Sequence, residues 1–154
     1  MNEGLERATI RQGSPIDADA IGHIFVRARD AMTYLPAIKD EDRPKLGGWI
    51  IARHEVWVIE EQSRVVGFAG LSPGWLDHLY MHPDSQRQGL GSILLQYIKK
   101  LQPEGLRLWV FQQNAEARRF YGRHDFQLEK LTDGSGNMER EPNALYSWHL
   151  WARP

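Results

Sequence analysis

The sequence predicts an α/β domain built on one sheet, with helices packed on its faces. Three observations carry this. Apolar residues at Leu90, Ile93, Leu94, Tyr97, Ile98 and Leu101 follow i, i+3, i+4, i+7, i+8, i+11, the stripe of an amphipathic helix. Short runs such as Leu106 to Phe111 are rich in β-formers and bounded by turn residues. The segments then succeed one another as β-α-α-β-β-β-α-β-α-β-β, seven strands and four helices, with no internal repeat.

Thr9 to Arg11 reads as the first strand. Ser14-Pro15 opens a helix, with Ser14 as N-cap, Pro15 at the first helical position and Asp17 in the first turn. Its apolar face is Ile16, Ala20, Ile21, Ile24, Phe25 and Ala28. Residues 33–39 loop around Pro36, and Asp40 is expected to cap a short second helix that Gly47-Gly48 weakens. Val56 to Glu60 and Arg64 to Leu71 form a hairpin turning at Glu61-Gln62-Ser63. After Pro73-Gly74, Trp75 to His82 makes another strand, and the striped helix follows. Pro103 to Gly105 is a turn before the strand at 106–111. Asn114 caps a helix running to about His124, with Ala117, Phe120 and Tyr121 on one side. Phe126 to Leu131 and Leu145 to Trp151 close the sheet. The loop between them, Thr132 to Asn143, is long enough to suggest function or mobility.

Composition narrows the function. Nineteen basic and twenty acidic side chains leave a net charge of −1, without the basic excess of a nucleic-acid or membrane-surface protein. The absence of cysteine removes disulfides and thiolate nucleophiles. No apolar run approaches the ~20 residues of a membrane span, and the N-terminus lacks a secretory apolar stretch, so a cytoplasmic protein is expected. The six histidines show no metal spacing: His54-Glu55 lacks a second histidine, and His78 with His82 would need a helix where a strand is predicted. No metal is expected, and no G-x-S-x-G elbow supports a serine hydrolase.

The glycine turn at Gln86-Arg87-Gln88-Gly89-Leu90-Gly91 sits at a helix mouth. Such a mouth, bare of side chains, suits an anion and above all a phosphate. It is not a Walker A loop, and it lacks the third glycine of a dinucleotide fingerprint. Packing punctuation is the plain alternative. Two blocks tip the balance. The strand Leu79-Tyr80-Met81 with Gln86-x-x-Gly89-x-Gly91, and later Asn114-x-x-Ala117-x-x-Phe120-Tyr121 then Phe126, together span about 50 residues. In order and spacing they resemble the GNAT superfamily of acetyl-coenzyme A-dependent N-acetyltransferases. Asp125 departs from the glycine usual before the last phenylalanine; Asp tolerates a left-handed backbone better than most residues.

The resemblance implies a single GNAT domain over residues 1–154, with a mixed, mostly antiparallel sheet. It implies acetyl-coenzyme A as acetyl donor and a small-molecule or peptide amine as acceptor. The main chain of Leu79, Tyr80 and Met81 would pair with the coenzyme arm, and Gln86 to Ser92 (Gln86, Arg87, Gln88, Gly89, Leu90, Gly91, Ser92) would cradle the pyrophosphate. Asn114 would contact the arm, or simply cap its helix. Tyr121 would protonate the departing thiolate, or simply fill the core. Strict alternation along the strand places Trp75, Asp77, Leu79 and Met81 on one face and Leu76, His78 and Tyr80 on the other. Asp77 then shares the reactive face as base or water-holder, with His54 and Glu55 within reach. Tyr34, Trp49, Arg140, Glu141 and Tyr146 are the candidate acceptor lining. A non-catalytic acyl-coenzyme A sensor on the same fold is the second reading, and pairing of the closing strands leaves a homodimer open.

Overall fold

The computed structural model describes residues 8–149. Seven strands form one sheet: β1 (Ala8–Gln12), β2 (Glu55–Glu61), β3 (Arg64–Ser72), β4 (Trp75–Met81), β5 (Leu106–Phe111), β6 (Gln127–Leu131) and β7 (Asn143–Trp148). Their spatial order is β1-β2-β3-β4-β5-β7-β6. Every neighbouring pair is antiparallel except β4 and β5. Four helices cover the faces: α1 (Ala18–Asp30), α2 (Leu46–Arg53), α3 (Leu90–Leu101) and α4 (Ala115–Arg123).

The predicted elements are present, with instructive shifts at their ends. Pro15–Asp17 is a 3₁₀ turn ahead of α1, where Ser14 and Asp17 form a reciprocal capping box. Asp17 is almost fully buried, and Arg11 grips both its carboxylate oxygens at 2.9 Å. That guanidinium holds the Asp17 carboxyl below the usual carboxylate range. Asp40 caps nothing; a 3₁₀ turn at Arg43–Lys45 leads into α2, and Asp40 lies 3.5 Å from Arg43. Gly47 does more than weaken α2. A Cβ there would collide with the Ala18 carbonyl oxygen, so its bareness lets α2 cross α1 at Gly22. The β2–β3 hairpin turns on Gln62 and Ser63, at φ 53° and 64°, which matches the twist of a tight hairpin. β7 begins two residues earlier than expected, at Asn143. Trp151 lies outside the described residues.

Two apolar cores flank the sheet. On one face Leu76, Leu90, Leu94, Leu95, Ile98, Leu106, Leu108, Tyr121 and Tyr146 pack with α3 and α4. On the other, Ile21, Ile24, Phe25 and Ile50 from α1 and α2 meet Val56, Val58 and Phe68. Asn114 caps α4 as the sequence indicates, its Oδ1 accepting from Ala117 N–H at 3.1 Å. Asp125 occupies its turn at φ 68°, the left-handed conformation expected where glycine is absent.

Candidate active site

β4 and β5 touch only at their start. The one parallel pair is Trp75 with Arg107; beyond it the strands separate. The β5-facing main chain of Leu79, Tyr80 and Met81 therefore has no neighbouring strand to satisfy it. On its other side β4 stays paired with β3, through Ala69↔Leu79, Phe68↔Tyr80 and Gly67↔Met81. The gap leads to the head of α3. Gly89 is the helix N-cap at φ 79°, and Arg87 ahead of it has φ 64°. The N–H groups of Leu90, Gly91 and Ser92 open the helix and have no intrahelical acceptor. A Cβ on Gly91 would lie 3.7 Å from Met81 and from Phe120, which seats the strand end, helix head and α4 against one another.

The expected coenzyme fits this cradle: an extended arm can add to β4 as a strand would, and a diphosphate can meet the helix head. The loop side chains keep clear. Arg87 is exposed and reaches only Glu116, at 3.9 Å, and Gln88 is exposed. Gln86 Nε2 donates to the Met81 carbonyl at 3.4 Å, tying loop to strand. Ser92 Oγ lies 2.8 Å from His124 Nε2, and Gln96 Nε2 is 3.2 Å from Nδ1 of the same ring. Gln96 is a donor there, so His124 Nε2 carries the hydrogen toward Ser92. The Ser92 hydroxyl hydrogen is left for another acceptor.

Tyr121 lies on the coenzyme side, its ring edge-on to Phe120 and Phe126 at 5.3 and 5.4 Å. Burial pushes its phenol well above the usual range, and a negative Tyr80 would push it further. It is a hydrogen-bond donor at every physiological pH.

Asp77 departs from the predicted alternation. The β3–β4 register jumps from Gly70↔His78 to Leu71↔Leu76, so Asp77 is the extra residue of a β-bulge. The bulge returns Leu76 to the same core as Leu79 and Met81, where strict alternation had placed it with His78 and Tyr80. Asp77 Oδ2 accepts from Ser72 Oγ at 2.6 Å and faces His54 Nε2 at 3.4 Å. His54 Nδ1 is 2.9 Å from the Ile50 carbonyl, which can only accept, so Nδ1 bears the hydrogen. Nε2 is therefore turned toward the carboxylate and would donate to it once protonated. The His54 ring stands edge-on to His78 at 4.8 Å. Burial, then the charge of His54, lowers His78 to about 4, so it is neutral at pH 7.

A second cleft lies on the α1 side of β4. Phe25 is its hub, edge-on to His78 and Tyr80 at 5.4 and 5.6 Å, with the Arg29 guanidinium 5.7 Å from its ring centre. Tyr34 packs against Phe111 at 6.0 Å, and Arg29 reaches Glu139 on the late loop at 3.5 Å. The loop is braced rather than loose: Asn137 Nδ2 donates to the Glu141 carbonyl at 2.8 Å, and Gln113 Nε2 donates to Glu141 Oε2 at 2.8 Å. A cavity of about 500 Å³ runs along it, lined by Trp109, Phe111, Lys130, Asp133 and Glu139 among others.

Of the expected acceptor lining, Tyr34 and Glu141 border this cleft. Arg140 is exposed on the loop at φ 55°. Trp49 is part-exposed on α2, beneath the Arg53 guanidinium. Tyr146 is misplaced: it is buried on the opposite face, its hydroxyl accepting from Arg118 Nε at 3.0 Å. β7 alternates, and Tyr146 falls on its inward side. Arg29 was missed, although it stands one turn beyond Phe25 on the same helical face.

Comparisons with known proteins bear on the fold and the family. Residues 52–128 match the family model described as an acetyltransferase (GNAT) domain. The chain is 28% identical over 135 residues to the peptidyl-lysine N-acetyltransferase YiaC of Escherichia coli, covering 86% of this chain and 84% of that protein. The solution structure of apo YjaB from Escherichia coli superimposes with a TM-score of 0.73 at 25% identity, over 92% of this chain and 97% of that one. The structure of yncA from Salmonella typhimurium, solved with its cofactor acetyl-CoA, gives 0.75 at 22% identity over 96% of both chains. Matched by that family model over half of its length, this chain belongs to the GNAT acetyltransferase family.

Proposed function

We propose that the protein carries an acetyl group from acetyl-coenzyme A directly to a primary amine, both held at once in a single catalytic domain. The observation that carries this reading is the separation of β4 from β5, ending at the open amides of α3. One side of the split suits the donor and the α1 side suits the amine. Relatives named as peptidyl-lysine N-acetyltransferases support an aliphatic amine as acceptor. The chain has no cysteine to carry the acetyl group, which favours direct attack.

A free main-chain N–H of β4 beside Met81 stabilises the carbonyl oxygen as charge gathers on it. The amine must first lose a proton, at a cost of about 5 kcal/mol for a lysine-like ammonium at pH 7. Asp77 attracts that ammonium and, with His54 beside it, gives the proton a path to water. Tyr121 then hydrogen-bonds the sulfur as the C–S bond breaks. A thiol near pKa ~8.5 is a stronger acid than this phenol, so Tyr121 stabilises the thiolate more than it empties its own proton.

The test is thiol release from acetyl-coenzyme A against a broad amine panel, with calorimetry of coenzyme A binding alongside. Amine-dependent release supports the reading. Tight coenzyme binding with no release for any amine would mark a sensor instead. No heat at millimolar coenzyme would refute both.

A further inference from the structure

The chemistry of the acceptor is written in the α1-side cleft. Arg29 Nε and the Tyr34 hydroxyl are both buried there with no hydrogen-bond partner, as is His78 Nδ1. Orphaned buried donors are costly in a finished protein and ordinary in a site awaiting a ligand. Arg29 keeps its charge enclosed, with only 19% of its side chain exposed. Among the described residues its one anion is Glu139, at a long 3.5 Å. A well-made guanidinium–carboxylate pair sits nearer 2.8 Å and is two-pronged, as Arg43 shows with Asp30 at 2.9 and 3.0 Å. Glu139 thus rests on Arg29 as a loose occupant, and it also lines the neighbouring cavity of about 500 Å³, which Arg29 and Tyr34 border only through Glu139 and Phe111. That volume suits a small molecule. Its walls, Trp109 and Phe111, are aromatic.

Resting on the acetyl-transfer reading above, we propose that the acceptor is an amino-acid-sized amine bearing a carboxylate. Arg29 takes that carboxylate in place of Glu139, with the Tyr34 hydroxyl donating to it. Glu139 is released into the loop, and nearby Glu141 faces the amine end and compensates the ligand's positive charge. Glu141 already lies close enough to Tyr34 to bear on its phenol.

The experiment pairs each amino acid with its decarboxylated amine: L-phenylalanine with 2-phenylethylamine, L-leucine with 3-methylbutylamine, L-lysine with 1,5-diaminopentane. Thiol release gives kcat/KM for each, and ligand-observed NMR without coenzyme gives binding. A charge-assisted pair with Arg29 predicts a ~10- to 100-fold preference for the acid in at least one pair. Arg29→Gln should shrink that ratio to below about 3-fold, and Arg29→Lys, which keeps charge without the fork, should retain part of it. Glu139→Gln removes the competitor and should raise kcat/KM for the amino acid about 3-fold. The proposal falls if the amines are used as well as the acids, or if a lysine-containing peptide is used and free amino acids are not. It falls equally if Glu139→Gln lowers the rate, which would make Glu139 a cation anchor. If no amine releases thiol, the transfer reading fails alone. Arg29-dependent NMR binding of an amino acid would still uphold the site, and its absence would overturn it.

Discussion

Two glycines at the head of α3 make opposite predictions. Gly89 holds φ 79° as the N-cap. Alanine in that left-handed conformation costs about 1–2 kcal/mol. At ~2–4 °C per kcal/mol for a domain of this size, Gly89→Ala should lower Tm by roughly 2–8 °C. Relaxing the strain would rotate the 87–89 backbone and swing its amides away from the diphosphate. Losing one or more charge-assisted hydrogen bonds predicts at least a ~10-fold weaker coenzyme Kd. Gly91 is helical, and its added Cβ would make ordinary 3.7 Å contacts with Met81 and Phe120. That Cβ points into the protein, away from the cradle. Gly91→Ala should therefore gain about 0.4–1 kcal/mol, raise Tm by a few degrees, and leave the coenzyme Kd within about 3-fold. Thermal melts without ligand and calorimetry with coenzyme A read both effects and need no knowledge of the acceptor. If Gly91→Ala abolished binding while Gly89→Ala did not, the amide cradle would be wrongly placed.

Other perturbations probe the remaining parts. Tyr121→Phe should lower kcat by ~100-fold with little change in coenzyme Kd; full turnover with an unchanged pH profile would remove Tyr121 from the chemistry. His78 binds its proton at about 4 in the fold against 6.5 for the model imidazole, so the unfolded chain binds more protons between those values. Stability from this group is complete above pH 6.5 and lost as pH falls toward 4, by about 2 kcal/mol at pH 5. His78→Leu should flatten that part of the stability–pH curve, and an unaltered slope would assign the loss elsewhere. Arg11→Met strands the Asp17 carboxylate, 5% exposed, at a cost of about 2–3 kcal/mol by chemical denaturation. A change under 0.5 kcal/mol, by the same order-of-magnitude reasoning, would show the pair to be ornamental.

What the sequence revealed and concealed divides along a physical line. Elements whose signal is local were legible. The α3 stripe, the Asn114 cap and the 106–111 strand are set by residues within one turn or one strand of each other. The turn at the head of α3 was legible for the same reason, because it is made of main chain and a glycine pattern advertises it. Asp40 failed as a cap because a cap stands directly before the first helical residue, and the turn that leads into α2 starts at Arg43, behind Asp42, with Pro44 in its opening. Tyr146 failed because which face of β7 turns inward depends on its pairing with β5 and β6, far away in the chain.

The β4 bulge is the sharpest case, because one inserted residue redistributes chemistry between the two sides of the sheet. Without it, Leu76 would join His78 and Tyr80 in the α1 cleft. With it, Leu76, Leu79 and Met81 all face the α3 core, while His78 and Tyr80 are kept for the α1 cleft. Asp77 is freed from the ladder to meet Ser72 and His54. Nothing in residues 75–81 signals a bulge, since it is set by their pairing with β3, where Gly70 leaves room beside the His78 ring. The register shift falls just past Trp75, where β4 and β5 part, at the start of the gap proposed for the coenzyme arm. In the proposed function, this one irregularity sets Asp77 between the donor side and the amine side. Straightening the strand by deleting Asp77 should close the gap and abolish coenzyme binding, whereas Asp77→Ala, which keeps the extra residue, should leave coenzyme binding intact and slow only the transfer.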